Sequence, residues 1–334
     1  MARPMSLDDA GSCPSCGRLL EPQDKFCEAC GSKLQRPALN GSVREQPRRD
    51  STEFDLGLVA GVSDRGLRHR RNEDAMALAA TELASGPAAV AVVCDGVSGS
   101  PSPDAAARAA ARALAGALMA GLCHHEDPVR TATAAVEAAR EELVSLALTR
   151  HASADDAPAT TFVTAMLTGR AITLCWLGDS RAYWLGSGPR SAQRLTRDDS
   201  VAADMVAAGQ ATEAGALAMP QAHMLTRWIG ADIREAPHVA VFEPPGPGAL
   251  LLCSDGLWNY QPDPAELARL ALPAALTDPL GAASMLIGFA LTAGGMDNVT
   301  AVVAPFPMTW SLGTAPGDVA WRVPPDPIAR RART

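Results

Sequence analysis

Apolar runs that each end in an aspartate constrain this 334-residue chain more than any other feature. Val90-Ala91-Val92-Val93-Cys94 leads into Asp95-Gly96, Leu174-Cys175-Trp176-Leu177-Gly178 into Asp179, and Ala249-Leu250-Leu251-Leu252-Cys253-Ser254 into Asp255-Gly256. Short apolar runs of this kind read as buried strands, so each strand carries a carboxylate to its end. A fourth acid, Asp297, lies in Gly294-Gly295-Met296-Asp297-Asn298. One Asp-Gly pair at a strand end is ordinarily a turn. Several converging carboxylates are what a hard divalent cation needs, because magnesium and manganese prefer oxygen ligands.

The remaining composition narrows the class. A hydrophobic fraction of 47% with 20% charged residues provides for a substantial core. The formal net charge of −8 supplies no basic field to recruit nucleic acid. The longest apolar runs, such as 285–293, are too short to span a bilayer, and the N-terminus lacks the basic and apolar regions of a secretion signal. A cytoplasmic protein without membrane partners is expected.

The eight cysteines fall into two groups. Cys13, Cys16, Cys27 and Cys30 form C-x2-C-x10-C-x2-C, the spacing of a zinc ribbon gripping one structural Zn2+. In so short a segment metal binding supplies the folding energy that a core cannot. The alternative, a disulfide pair or redox motif, suits a cytosolic context less well. Such ribbons more often dock proteins or nucleic acid than catalyse, and a protein partner is expected here. Cys94, Cys123, Cys175 and Cys253 stand alone in apolar segments and are expected to be chemically inert.

Taken in order, residues 1–33 hold the ribbon, 34–52 read as a linker, 53–305 form the main domain, and 306–334 make a proline-rich, basic-ended tail expected to be mobile. Within the main domain, residues 56–62 and 75–80 read as strands around the polar turn 63–74. Asp104 is expected to cap an alanine-rich helix, and Asp127-Pro128 to open another. Residues 160–168 and 171–177 alternate around Gly169-Arg170 as a hairpin, which 181–185 can extend. Helices are expected over 199–208, from Thr212, and from Asp278-Pro279 to Gly294, with strands over 239–242, 249–253 and 299–303. Consecutive strands joined by short turns, with helices arriving in pairs, imply antiparallel sheets in a layered α+β fold.

Ser63-Asp64-Arg65-Gly66, Asn72-Glu73-Asp74, Asp95-Gly96, Gly178-Asp179-Ser180-Arg181, Leu225-Thr226-Arg227, Ser254-Asp255-Gly256-Leu257 and Asp297-Asn298-Val299-Thr300 occur in an order that resembles the PPM-type metal-dependent protein Ser/Thr phosphatases, the protein phosphatase 2C family, in their bacterial form. The likeness covers about residues 54–305 and leaves the ribbon outside. It implies an α-β-β-α four-layer sandwich with two central antiparallel sheets. It further implies two Mn2+ or Mg2+ ions, with a third more weakly held, and hydrolysis of phosphoserine or phosphothreonine by a metal-bridging water. The substrates implied are phosphorylated proteins, targets of Ser/Thr kinases. Carried over by position, Asp95 resembles the bridging ligand, the Gly96 carbonyl a ligand of one ion, Asp255 and Asp297 ligands of the other, Glu73 the acid acting through water, and Asp179 the ligand of the third. Residues 197–230 occupy the place of the family's flap.

Two positions depart from the pattern. Where the family has the arginine that grips phosphate, this chain has His69, flanked by Arg68 and Arg70. On an extended segment neighbours face opposite ways, so an inward His69 turns both arginines outward. A protonated histidine supplies charge but not the bidentate fork of arginine. The family's Asp-Gly-Met-Gly-Gly-His becomes Asp95-Gly96-Val97-Ser98-Gly99-Ser100, placing a serine where the family has a candidate proton donor. A serine hydroxyl is too weak an acid for that role, and losing such help costs about 10²- to 10⁴-fold. A catalytically weakened scaffold that binds phosphoproteins or a regulatory partner is therefore the alternative to a working phosphatase.

Overall fold

The chain divides into two units, Met1–Arg48 and Arg49–Thr334. The computed structural model describes residues 51–150, 157–186, 188, 191–219, 221–231, 235–308 and 318–325, all in the second. The ribbon cysteines Cys13, Cys16, Cys27 and Cys30 and the arginines near the C-terminus lie outside the described residues.

The first half contains strands β1 (Ser51–Asp55), β2 (Ala60–Asp64), β3 (Asp74–Leu83) and β4 (Gly86–Gly96), then helices α1 (Pro103–Cys123) and α2 (Pro128–Thr149). Next come β5 (Ala159–Leu167), β6 (Ile172–Leu177), β7 (Arg181–Gly186) and the short β8 (Gln193–Arg194), then α3 (Val201–Ala207) and α4 (Glu213–Leu217). After β9 (Ile229–Gly230), β10 (His238–Phe242) and β11 (Gly248–Cys253) follow α5 (Asp255–Trp258), α6 (Pro264–Ala275) and α7 (Pro279–Ala293), and finally β12 (Val299–Phe306) and β13 (Val319–Arg322).

Two antiparallel sheets form the centre. One has the order β1-β2-β12-β11-β7-β8; the other runs β10-β6-β5-β4-β3-β13, with β9 paired to β5. The side-chain alternation of each strand sorts residues between layers. On β4, Val90, Val92 and Cys94 pack against α1 and α2, whereas Ala89, Ala91 and Val93 face the opposite sheet. On β11, Leu250 and Leu252 enter the inter-sheet core, and Ala249, Leu251 and Cys253 meet α6 and α7. A strand buried on both faces is apolar throughout, which is why these runs show little polar alternation.

Several boundaries differ from the expectations. β1 lies partly in the expected linker, and the turn at 56–59 separates it from β2, with which it pairs. Ser102, not Asp104, is the N-cap of α1; Asp104 sits in the first turn and bonds Arg108. β7 does not extend the β5–β6 hairpin: it pairs with β11 in the other sheet. The crossing occurs at Gly178, whose φ of 105° a residue with a Cβ rarely adopts. Helix α6 was not expected, although Asp263-Pro264 is the same Asp-Pro start that marks α2 and α7. Within the expected mobile tail, Val319–Arg322 pair with β3.

Candidate active site

Register brings the strand-end acids to one edge of the molecule. Asp74 at the start of β3 is paired with Asp95 at the end of β4, and Asp95 with Thr161 of β5. In the facing sheet, Asp64 stands opposite Val299, and Cys253 opposite both Ala301 and Arg181. The loops carrying Asp255, Asp297 and Asp179 therefore leave the sheets beside the ends of β3 and β4.

Hydroxyls join the sheets at this edge. Asp74 Oδ2 accepts hydrogen bonds from Ser254 Oγ and Thr300 Oγ1, both at 2.7 Å. Thr300 Oγ1 is also 2.7 Å from Ser63 Oγ, which accepts from Asn72 Nδ2 at 2.8 Å. Asn298 ties the 65–73 loop to the start of β12. Its Oδ1 accepts from the Glu73 amide at 2.7 Å, and its Nδ2 donates to the carbonyls of Arg65 and Arg71 at 2.7 and 3.0 Å. Gly66 permits this closure: it has φ 74°, and a Cβ there would lie 2.0 Å from the Asp297 carbonyl oxygen. Gly96 is needed for a different approach, because its Cβ would fall 2.5 Å from the carbonyl oxygen of Pro103 at the start of α1.

The carboxylates act on one another strongly. Burial lifts the Asp95 pKa well above the ordinary carboxylate range, and the charges of Asp74, Asp255, Asp179 and Asp297 lift it further. Burial, then Asp255 and Asp198, raise Asp179, with Arg181 opposing. Asp255 rises to about 6, chiefly through burial and then Asp297; its carboxyl group lies within hydrogen-bonding reach of that of Asp95. Asp74 rises to about 7, again chiefly through burial, despite its two hydroxyl partners. Its Oδ1 is buried and has no hydrogen-bond partner.

This donor set fits a hard divalent cation: it is oxygen-rich, desolvated and self-repelling, and added positive charge would relieve it. Among the described residues no three acid, histidine or cysteine side chains form a finished cage for one ion. Asp95 and Asp255 instead associate as a pair. Holding a cation would replace a shared proton with metal charge.

Asp95, Asp255, Asp297 and Asp179 are thus brought together. Gly96 lies at the end of β4, its amide bonded to the Glu73 carbonyl at 3.2 Å. Glu73 is buried and held at both oxygens, by Arg71 Nε at 2.7 Å and by Ser98 Oγ at 2.9 Å. His69 turns toward the acids, with its Nε2 3.1 Å from Asp297 Oδ1. Arg68 and Arg70 are exposed beside it, in a segment of turns and bends rather than the extended strand for which alternation was expected. Ser100 does not enter the site: its hydroxyl engages the backbone of Ala159, accepting from the amide at 3.2 Å. Cys94, adjacent to Asp95, has its thiol pKa pushed well up by burial and then by Asp74 and Asp95, which disfavours the thiolate.

Four participants escaped the sequence reading. In the sequence Asp74 stands only as the end of a polar turn, though its adjacency to Glu73 is a signal. Asn298 and Ser98 act by hydrogen bonds that no spacing announces. Arg71, two residues before Glu73, is the guanidinium that Glu73 fixes in place; that hydrogen bond is the main reason its pKa is raised.

The comparisons agree with this geometry. The family model described as Protein phosphatase 2C matches residues 65–280. The serine/threonine protein phosphatase PstP of Mycobacterium tuberculosis (strain H37Rv) is 31% identical over 253 residues, covering 73% of this chain and 44% of PstP. The chain spans about half the length of the curated relatives it matches. The crystal structure of Mycobacterium tuberculosis PstP/Ppp superposes with TM-score 0.58 at 28% identity, covering 74% of this chain and 97% of that one. A crystal structure of the PstP catalytic domain in complex with two manganese ions gives TM-score 0.55 at 28% identity, with coverage of 74% and 96%.

Proposed function

The chain belongs to the protein phosphatase 2C family, and on that footing we propose that it is a metal-dependent phosphoprotein phosphatase acting on phosphoserine and phosphothreonine. The observation that carries this reading is the convergence of Asp95, Asp179, Asp255 and Asp297 at one sheet edge, where burial and neighbouring carboxylates raise the pKa of Asp95, Asp179 and Asp255. When bound, a pair of manganese or magnesium ions supplies a water of lowered pKa and neutralises charge on the phosphoryl group. In this assignment Asp95, Asp255, Asp297 and the Gly96 carbonyl hold the two ions, Asp179 serves a third, and Glu73 orients water while fixed by Arg71 and Ser98. His69 places its imidazole beside Asp297, where the phosphate would enter.

The departures bear on rate. Ser100, engaged with the β5 backbone, donates no proton to the leaving oxygen. Esters with good leaving groups need that proton least, so an aryl phosphate should be turned over faster than a phosphoserine peptide. The same two positions, His69 and Ser100, favour the second reading: a scaffold that binds phosphoproteins or a regulatory partner without hydrolysing them. Turnover of an aryl phosphate with added manganese separates the two. Wild type should exceed Asp95→Ala by more than about a thousandfold; equal rates would leave the scaffold.

The four-cysteine motif at 13–30 supports a single structural zinc and a docking role toward a protein partner. With it we retain the division into ribbon 1–33, linker 34–52, phosphatase domain 53–305 and tail 306–334, and a cytoplasmic setting.

A further inference from the structure

A cavity of about 490 Å³ adjoins the acid cluster, lined by both Arg71 and Asp74. Its walls include Arg70, Arg71 and Arg108, with Asp74 and Asp104, over a floor containing Phe54 and Met76. The charges do not cancel in place. Asp104 is engaged by Arg108 through Nη2 at 2.5 Å, and Arg71 Nη1 stays 3.8 Å from it. Asp74 directs Oδ2 to Ser254 and Thr300 in the opposite sheet. Arg71 is gripped from behind by Glu73 through Nε alone, and Arg70 forms no ion pair among the described residues. Among the described residues, Arg70 therefore presents an unpaired planar N–H fork to the cavity, and Arg71 presents terminal nitrogens that make no hydrogen bond there; such donors bind carboxylate or phosphate in bidentate fashion.

Arg71 belongs to both places, since Glu73 fixes it to the acid cluster while it lines the cavity. We propose that this cavity is an anion subsite that receives a second negatively charged group of the substrate, a carboxylate or a further phosphate flanking the phosphorylated residue. The proposal rests on the phosphatase reading and gives it a substrate class: phosphoproteins whose phosphorylation site lies in an acidic or multiply phosphorylated stretch. The main phosphate enters beside His69 and Asp297, and the flanking anion is read by Arg70, with Arg71 between the two.

The test uses the full chain, loaded with manganese, and three phosphoserine peptides: neutral flanks, glutamate flanks, and a second phosphoserine. kcat/KM should be about tenfold higher for the two anionic peptides, chiefly through KM, and the advantage should shrink as salt is raised. Arg70→Ala should bring the ratio of anionic to neutral peptide close to one; Arg70→Lys, which keeps charge but not the fork, should retain part of it. Glutamate and phosphoserine arms that differ would identify which anion the cavity prefers. Equal kcat/KM for all three peptides in wild type overturns the subsite while leaving the phosphatase reading intact. Affinities of the Asp255→Asn variant, followed by fluorescence anisotropy, do not depend on turnover. If no peptide is hydrolysed, tighter binding of the anionic peptides that Arg70→Ala abolishes still supports the subsite, and uniform binding overturns it.

Discussion

Two buried acidic regions border the same strand ends and solve the problem of buried charge in opposite ways. Asp198 receives Arg181 in a bidentate contact, Nε to Oδ1 at 2.9 Å and Nη2 to Oδ2 at 2.6 Å. The Arg181 guanidinium lies 3.6 Å over the ring of Trp258, whose Nε1 donates to the Asp179 carbonyl. Burial works against the charge of Arg181, but Asp198 more than offsets it and holds its pKa above normal. Neighbouring Asp199 is met by His238 Nε2 at 2.8 Å and by the Gly178 amide at 3.0 Å, while His238 stacks on Trp176. Asp95, by contrast, faces acids: the largest charge effects on it come from Asp74, Asp255, Asp179 and Asp297. Buried carboxylates are normally paired. The first region obeys that rule with the chain's own cations; the second obeys it only when a cation comes from outside. Structural acids and site acids are thus told apart by their partners rather than by their burial.

The contrast can be broken most sharply by removing one acid from each region. Asp198→Ala leaves Arg181, 4% exposed, without its counter-charge and should cost about 3–5 kcal/mol of stability, read from denaturant unfolding. Asp95→Asn should do the reverse to metal-free protein, raising its melting temperature by roughly a few degrees because a repelling charge is gone. A lower melting temperature for that variant would show Asp95 to be structural. A pH series is a gentler probe. The folded-state values of Asp74, about 7, and Asp255, about 6, lie above the unfolded reference near 4. The folded protein therefore retains protons that the unfolded chain releases. That contribution to stability is complete below about pH 4 and is lost as pH rises through 6 to 7. Saturating manganese should restore it, so the stabilisation by metal grows across this window; a pH-independent metal effect would contradict the coupling.

His69→Arg carries the smallest expected effect. With position 69 turned toward Asp297, the arginine should lower KM for phosphopeptides by about three- to tenfold. An unchanged KM would move phosphate recognition elsewhere on the 65–73 loop.

Much of this was legible in the chain. Apolar runs ending in aspartate gave the strands of both sheets and the acids between them, because burial on both faces and a terminal carboxylate leave a continuous local signature. Asp127-Pro128 and Asp278-Pro279 marked two helix starts for a similarly local reason. Partnership across the sheets was not legible. Nothing in 181–185 announces that β7 leaves its hairpin for the other sheet, since the choice is made by the Gly178 backbone and by the register with β11. Val319–Arg322 gain their order from β3, more than two hundred residues away. Asp74, Asn298 and Ser98 likewise draw their roles from hydrogen bonds between distant segments, and His238 and Asp199 are separated by 39 positions.

Manganese binding to the full chain, followed by titration calorimetry near pH 7, addresses the central claim most directly. The account predicts at least two manganese ions per chain, with proton release on binding, and loss of that binding in Asp95→Ala while Asp198→Asn, where it folds, retains it. No manganese uptake, or uptake unaffected by Asp95→Ala, would contradict the assignment of the acid cluster as a cation site.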